Sequence, residues 1–209
     1  ITLIILITGF YGYVSDYIYN TFSSPFLHSA IFFLFFYFLN MLVSIPINYY
    51  STFIIEEKFG FNKTTKKTFL ADILKGTLMS ILIGGLLLAV AILILNYFSE
   101  GFWFWLWLSL SIFTVFISMF YTSLIVPIFN KLSPLEDGSL KTKIQQYSDK
   151  IGYSLKNIFV IDGSKRSSKA NAYFSGFGPK KTIALFDTLI EKHTEEEPVS
   201  YTHLTLPTI

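Results

Sequence analysis

The stretch Phe53-Ile-Ile-Glu-Glu-Lys-Phe-Gly-Phe-Asn-Lys-Thr-Thr65 is a polar island set between long apolar runs, and its setting decides the fold. Before it, residues 28–47 carry no Lys, Arg, Asp or Glu; after it, residues 76–97 carry none, and neither do residues 102–126. About 20 apolar residues suffice for a helix to cross the hydrocarbon core of a bilayer, so each run is long enough to span. Residues 1–14 are apolar but shorter and read as the remnant of another span; the chain opens without a methionine and without the basic region of a signal peptide. Composition points the same way: 52% of the 209 residues are hydrophobic and 14% charged, against about 25% charged in a soluble domain.

Charge then orients the spans. The 16 Lys and Arg residues fall in two places, five between Lys58 and Lys75 and eleven from Lys131 onward, while 15–27 and 98–101 have none. Excess Lys and Arg marks the cytoplasmic side, and alternate crossings put both basic regions on one side. Residues 1–130 are therefore expected to form a transmembrane region with a cytoplasmic loop at 48–75, and the residues after 130 a cytoplasmic-side domain. The membrane would be a bacterial inner membrane or the endoplasmic reticulum. Trp103, Trp105 and Trp107 suit an interfacial belt at the outer end of the last span. Gly84-Gly85 suits close helix packing, and Pro46 and Pro127 suit kinks or span ends. A net charge of +2 gives no footing for a nucleic-acid partner, and the absence of cysteine removes any disulfide, thiolate nucleophile or Cys-type zinc site.

From Lys131 the pattern changes. Ser133-Pro-Leu-Glu-Asp-Gly138 reads as a turn-rich linker. Residues 139–151 read as an amphipathic helix with Leu140, Ile144, Tyr147 and Ile151 on one face. Asn157-Ile-Phe-Val-Ile161 reads as a buried strand closed by Asp162-Gly163. Residues 170–176 and 181–186 read as two strands joined around Phe177-Gly-Pro-Lys180, and Phe186–Lys192 as a short helix. Together they open an α+β domain.

These stretches carry a resemblance. Tyr50–Thr65, the Asp-x-x-Lys-Gly pattern of Asp72-Ile-Leu-Lys-Gly76, Pro127–Gly138, Asp162-Gly-Ser-Lys-Arg-Ser-Ser-Lys-Ala-Asn-Ala-Tyr-Phe-Ser-Gly-Phe-Gly178 and Ile183–Leu189 occur in a telling order and spacing. They make the chain similar to integral-membrane zinc metallopeptidases of the CAAX prenyl protease 1 type, from about residue 40 to residue 197. The resemblance implies a mainly α fold: multi-span transmembrane helices, followed at 131–197 by the beginning of a small α+β zinc-metallopeptidase domain. It implies zinc, held by two histidines of an H-E-x-x-H helix and a more distant glutamate, with the helix glutamate as general base on the metal-bound water. It implies peptide or protein substrates, lipidated or membrane-bound, cut near their C-terminus, with membrane lipids as surroundings. It also implies a substrate-binding role for Asn171, Ala172 and Tyr173, on an edge strand that pairs with the peptide main chain, the Asn171 side chain adding a hydrogen bond.

The catalytic helix is announced but not written out. Thr194-Glu-Glu-Glu197 is a capping box, yet Pro198 follows at about the fourth helical position, where a backbone N–H is needed. Val199-Ser-Tyr-Thr-His-Leu-Thr-Leu-Pro-Thr208 back-translates to a sequence like a transposase-type sequencing adaptor. The expectation is that 198–209 is a non-native tail and that the native sequence is interrupted near Glu197, leaving the zinc ligands and the base outside these residues and the fragment inactive. His28 suits an interfacial position, His193 with Glu197 is too small a ligand set, and His203 belongs to the tail. Glu56-Glu57 would suit acid–base work or a solvated loop, and Lys165-Arg166 an anion or an exposed turn. Three rival readings remain. The loop at 56–65 argues against a heat-shock-type membrane metalloprotease, and the uncharged spans argue against a transport subunit. The third is a non-catalytic scaffold.

Overall fold

The computed structural model describes residues 2–98, 100–150, 152, 155–176 and 181–192. Among the described residues, three helices are long and apolar enough to cross a membrane: Pro25–Glu56, Lys66–Tyr97 and Phe102–Phe129. The chain divides into two compact units, one of residues 1–51 and 76–107, the other of 52–75 and 108–209.

In the first unit, α1 (Thr2–Ile7) and α2 (Phe10–Thr21) precede α3 (Pro25–Tyr50). Gly9 adopts a left-handed backbone with φ of 67°, a conformation that costs glycine little, and it divides α1 from α2. Helix therefore continues to Thr21, through residues that hydropathy reads as a loop. Ser24 caps α3 by accepting the Leu27 N–H, and Pro25 occupies its first turn, where the missing N–H is not needed. Rings from α2 and α3 interlock, Tyr11 on Phe36 at 4.5 Å and Phe10 on Phe36 at 6.2 Å. The rest of the apolar surface is outward: along α4 (Lys66–Tyr97), Leu78, Leu82 and Leu86 recur every four residues and are 56–70% exposed. A stripe of that kind fits a hydrocarbon solvent. Trp103 and Trp107, on α5 (Phe102–Phe120), are exposed as well. A Cβ added to Gly84 or Gly85 would meet nothing within 4 Å, so the close packing expected there is not made by the described residues.

Both prolines stand beside π-helical turns. Pro46 lies inside α3, which passes into a π-helical turn at Ser51–Glu56. The end of α5 does the same at Tyr121–Ile125, just before α6 (Val126–Phe129) with Pro127 in its first turn. Proline removes one N–H from the ladder and favours such interruptions. Helix thus runs well into the region that composition assigns to the loop 48–75, because hydropathy marks the apolar stretch of a helix and not its polar ends.

The second unit holds a four-stranded sheet in the order β1-β2-β4-β3. Its strands are β1 (Leu132–Pro134), β2 (Asn157–Ile161), β3 (Ala172–Ser175) and β4 (Thr182–Phe186). β2 and β4 run parallel at the centre, while β1 and β3 pair antiparallel outside them. β4 is buried on both faces. Ile183 and Leu185 meet Ile144 of α7 (Ser139–Lys150) and Leu189 of α8 (Asp187–Lys192) on one side; Ala184 and Phe186 meet Ile161 and Val126 on the other. That double burial explains the unbroken apolar run Ile183-Ala-Leu-Phe186. β1 occupies part of the expected linker, and its Pro134 is tolerated because an outer strand has one edge without a ladder to complete. Phe186 ends β4, and the helix begins one residue later.

Candidate functional site

β3 lies at one side of the sheet, immediately after Asn171. The Asn171 carbonyl accepts the Phe186 N–H at 3.0 Å. In an antiparallel pair, successive residues turn their main-chain groups alternately toward and away from the partner. Asn171, Tyr173 and Ser175 therefore address β4, whereas the N–H and C=O of Ala172 and Phe174 point to the outer side. The exposed Asn171 side chain is already poised on that side, its Oδ1 accepting the Ala172 N–H at 2.8 Å. The structure thus brings the three predicted residues together at a sheet edge.

One face of β3 is fastened to the end of the last long helix. Tyr121 meets the Tyr173 ring edge-on at 6.1 Å, Thr122 Oγ1 bonds Ser175 Oγ, and the Gly176 N–H reaches the Ser118 carbonyl at 3.3 Å. The π-helical turn at Tyr121–Ile125 widens the helix there and offers Tyr121 and Thr122 to the strand. Burial pushes the Tyr173 phenol above its ordinary value, with Thr122 opposing the shift. Thr122 is engaged with Ser175, and Tyr173 Oη is left buried without a well-formed hydrogen bond among the described residues.

The loop leading into β3 docks on the polar island that opened the sequence. Lys63 N–H and Thr64 Oγ1 both donate to the Arg166 carbonyl at 3.0 Å, and Ser168 N–H donates to the Phe61 carbonyl at 2.9 Å. Arg166 places a two-pronged fork on Asp72, Nε to Oδ2 at 2.7 Å and Nη2 to Oδ1 at 2.8 Å. Nη2 also reaches the Phe129 carbonyl at 2.8 Å, and Lys75 Nζ reaches the Ile128 carbonyl at 2.7 Å. The bond to Asp72 raises the Arg166 pKa above the ordinary arginine value, against the effect of burial. The sequence reads Lys165-Arg166 as an anion site or an exposed turn; in the fold Arg166 is half-buried and paired. The Asp-x-x-Lys spacing places Asp72 and Lys75 on one face of α4, but no local pattern ties Arg166 to them.

The other candidates are occupied. Glu56 pairs with Lys169 at 2.7 Å, and Glu57 accepts the Asn62 amide at 2.8 Å. Lys169 also lies over the Phe61 ring at 5.0 Å. His28 Nε2 lies against Ser15, 3.2 Å from its carbonyl oxygen and 3.3 Å from its hydroxyl. His193, Thr194–Glu197, Pro198, His203 and the turn at 177–180 lie outside the described residues. Among the described residues, no group of three or more His, Cys, Asp or Glu could hold a metal ion; they do not fit a zinc site.

Comparison with known proteins places this arrangement. The N-terminal model of the CAAX prenyl proteases, described as five membrane helices, matches residues 1–131, and that of peptidase family M48 matches residues 134–200. The chain belongs to peptidase family M48. The probable CAAX prenyl protease 1 of Schizosaccharomyces pombe is 41% identical over 183 residues, covering 85% of this chain and 38% of that protein. CAAX prenyl protease 1 of Saccharomyces cerevisiae is 41% identical over 160 residues, covering 76% of this chain and 35% of its own length. The crystal structure of S. mikatae Ste24p superposes with a TM-score of 0.85 at 36% identity, over 97% of this chain and 49% of that one. The chain therefore spans less than half the length of these M48 relatives. Their shared fold accounts for the membrane helices and for the small sheet that follows them.

Proposed function

We propose that the full-length protein is a membrane zinc metalloendopeptidase that cleaves lipidated or membrane-bound proteins near their C-terminus, and that the residues of this chain bind and place the substrate. The observation that carries this reading is the outer edge of β3. β3 is an outer strand of the sheet, paired on one side with β4, and the Ala172 carbonyl beside Asn171 faces away from that partner, where an extended peptide can add as a further strand. Asn171 stands at the entrance to that edge. Its side-chain amide can bond the arriving peptide backbone while Oδ1 holds Ala172 in place.

Zinc, in this family resemblance, would supply the activated water. No described residue is assigned to it, and with three histidines and no H-E-x-x-H in the sequence, the 209 residues are expected to be inactive by themselves. The excess of Lys in 58–75 and after 130 supports a cytoplasmic location for both. The transmembrane region is taken to run to residue 130 and the peptidase domain to begin at 131.

The test uses the full-length gene product in detergent and a lipidated peptide substrate. A zinc chelator is expected to abolish cleavage, and Asn171→Ala to raise KM severalfold. Cleavage that persists in the chelator would refute the metallopeptidase assignment.

A further inference from the structure

We propose that Asp72 and Arg166 are positioning residues for peptide cleavage, forming a clamp that sets where the substrate-binding edge of β3 lies. This rests on the reading of β3 as the substrate strand.

The clamp gathers three pieces of one compact unit: the first turns of α4, the end of α6 and the loop at 163–169. Its geometry is that of a strong pair. Both bonds of the Arg166 fork are short, and the two side chains are only 24% and 26% exposed. A two-pronged Arg–carboxylate pair fixes angle as well as distance, which a solvated single contact does not. Arg166 is also the residue where the other attachments meet. Its carbonyl takes the bonds from Lys63 and Thr64, and its Nη2 donates to the Phe129 carbonyl.

The carbonyls of Ile128 and Phe129 are among the last of their helix. Such carbonyls lack an intrahelical partner and carry the negative end of the helix dipole. Lys75 and Arg166 supply cations to both, while Asp72 sits one turn before Lys75 and balances the arginine. The Asp72-x-x-Lys75 pattern thereby has a job that the peptidase reading alone does not give it.

The loop transmits the clamp's position to the strand. Four residues separate Arg166 from Asn171, and they are tied at several points. The Lys169 carbonyl accepts Thr188 Oγ1 at 2.8 Å, Ser168 Oγ reaches the Gly60 carbonyl at 3.2 Å, and Lys169 holds Glu56. Ser164 N–H bonds Asp187 at the start of α8 at 2.8 Å. A chain so held cannot absorb a displacement of Arg166 locally. Loss of the clamp moves the edge while leaving its main-chain donors and acceptors intact. The substrate still pairs, but its scissile bond is misplaced. A misplacement of about 1 Å costs on the order of a hundredfold in rate.

The experiment compares Arg166→Ala, Arg166→Lys and Asp72→Asn with wild type in the full-length protein, measuring kcat, KM, bound zinc and thermal stability. The expected result is a kcat at least roughly tenfold lower for Arg166→Ala, with KM changed by less than about threefold. Arg166→Lys keeps the charge without the fork and falls between the two. Asp72→Asn is nearly isosteric and reports the same loss should Arg166→Ala fail to fold. Wild-type kcat in the folded variants overturns the proposal, as does a loss of kcat that merely follows loss of zinc. Asn171→Ala, measured alongside, separates the two readings. An unchanged KM there removes the substrate strand, whereas a raised KM with wild-type kcat in the clamp variants removes only the clamp.

Discussion

Gly163 admits a sharp test, because its environment forbids even a methyl group. A Cβ built there would lie 2.3 Å from Phe186 Cδ2, 2.9 Å from Cγ and 3.1 Å from Cε2. Carbon atoms pack at about 3.5–4.0 Å, so the ring must retreat by more than about 1 Å. It has little room to do so. Phe186 packs against the cluster of Val126, Ile161 and Ala184, pairs with Ile161 across the parallel strands, and donates its N–H to Asn171. Gly163 does not have a left-handed backbone, so alanine meets a problem of space and not of φ. Overpacking of this kind costs about 1–3 kcal/mol, and each kcal/mol lowers the melting temperature of a 150–250-residue domain by about 2–4 °C. Gly163→Ala should therefore melt several degrees below wild type in a thermal scan of the detergent-solubilised full-length protein. Gly163→Ala combined with Phe186→Leu should recover more than half of that difference, since the smaller side chain vacates the clash. A single variant that melts with wild type would refute the contact, and a double variant with no recovery would refute its cause.

Three further outcomes concern the sheet, its buried phenol and the glycine pair of α4. Leu185 is 0% exposed at the centre of the sheet, so Leu185→Ala should cost about 2–5 kcal/mol, seen as a large fall in melting temperature or in yield of folded protein. The Tyr173 phenol has its pKa raised by burial above the ordinary 10.0. The folded state then holds this proton more tightly than the unfolded chain, and stability is complete below pH 10 and falls as pH rises through the folded value. Tyr173→Phe should remove that alkaline loss and leave stability at pH 8 unchanged or slightly higher, since Oη has no well-formed hydrogen bond to lose; melts at about pH 8 and pH 10.5 compare the two. Gly84→Ala and Gly85→Ala meet open space among the described residues, so each should be neutral or stabilise α4 by about 0.5–1 kcal/mol. A marked loss of stability in either would mean that another helix packs there.

Much of the architecture is legible in the residues themselves. The uncharged runs give the spanning helices, and the continuous apolar stretch Ile183–Phe186 gives a strand buried on both faces. What hydropathy does not give is the end of a helix, because the helical turns run on through Ser51, Thr52 and Glu56 at one end and begin at Lys66 and Lys67 at the other, polar residues that an uncharged apolar run leaves out. It also misses β1, where Ser133-Pro134 has turn chemistry that an outer strand can accommodate. The clamp is invisible for a different reason. Asp72 and Arg166 stand 94 residues apart, and no periodicity connects them. Each looks like a surface charge until the fold places one against the other. The Asn171–Tyr173 edge is reached only through family resemblance, since a strand beside a turn has the same local pattern whether or not it receives a peptide.

That separation along the chain has a consequence for how the protein is made. Asp72 leaves the ribosome 94 residues before Arg166. At about 5–20 residues per second, it waits on the order of 5–20 s for its counter-ion. Through that interval the bonds that hold the loop at 57–65 in the folded protein, from Lys63 and Thr64 to the Arg166 carbonyl and from Ser168 to the Phe61 carbonyl, are not yet made. The last long helix and the following sheet must both be synthesised before the loop can close. Attachment of the loop can therefore be completed only after the chain has been made through Ser168.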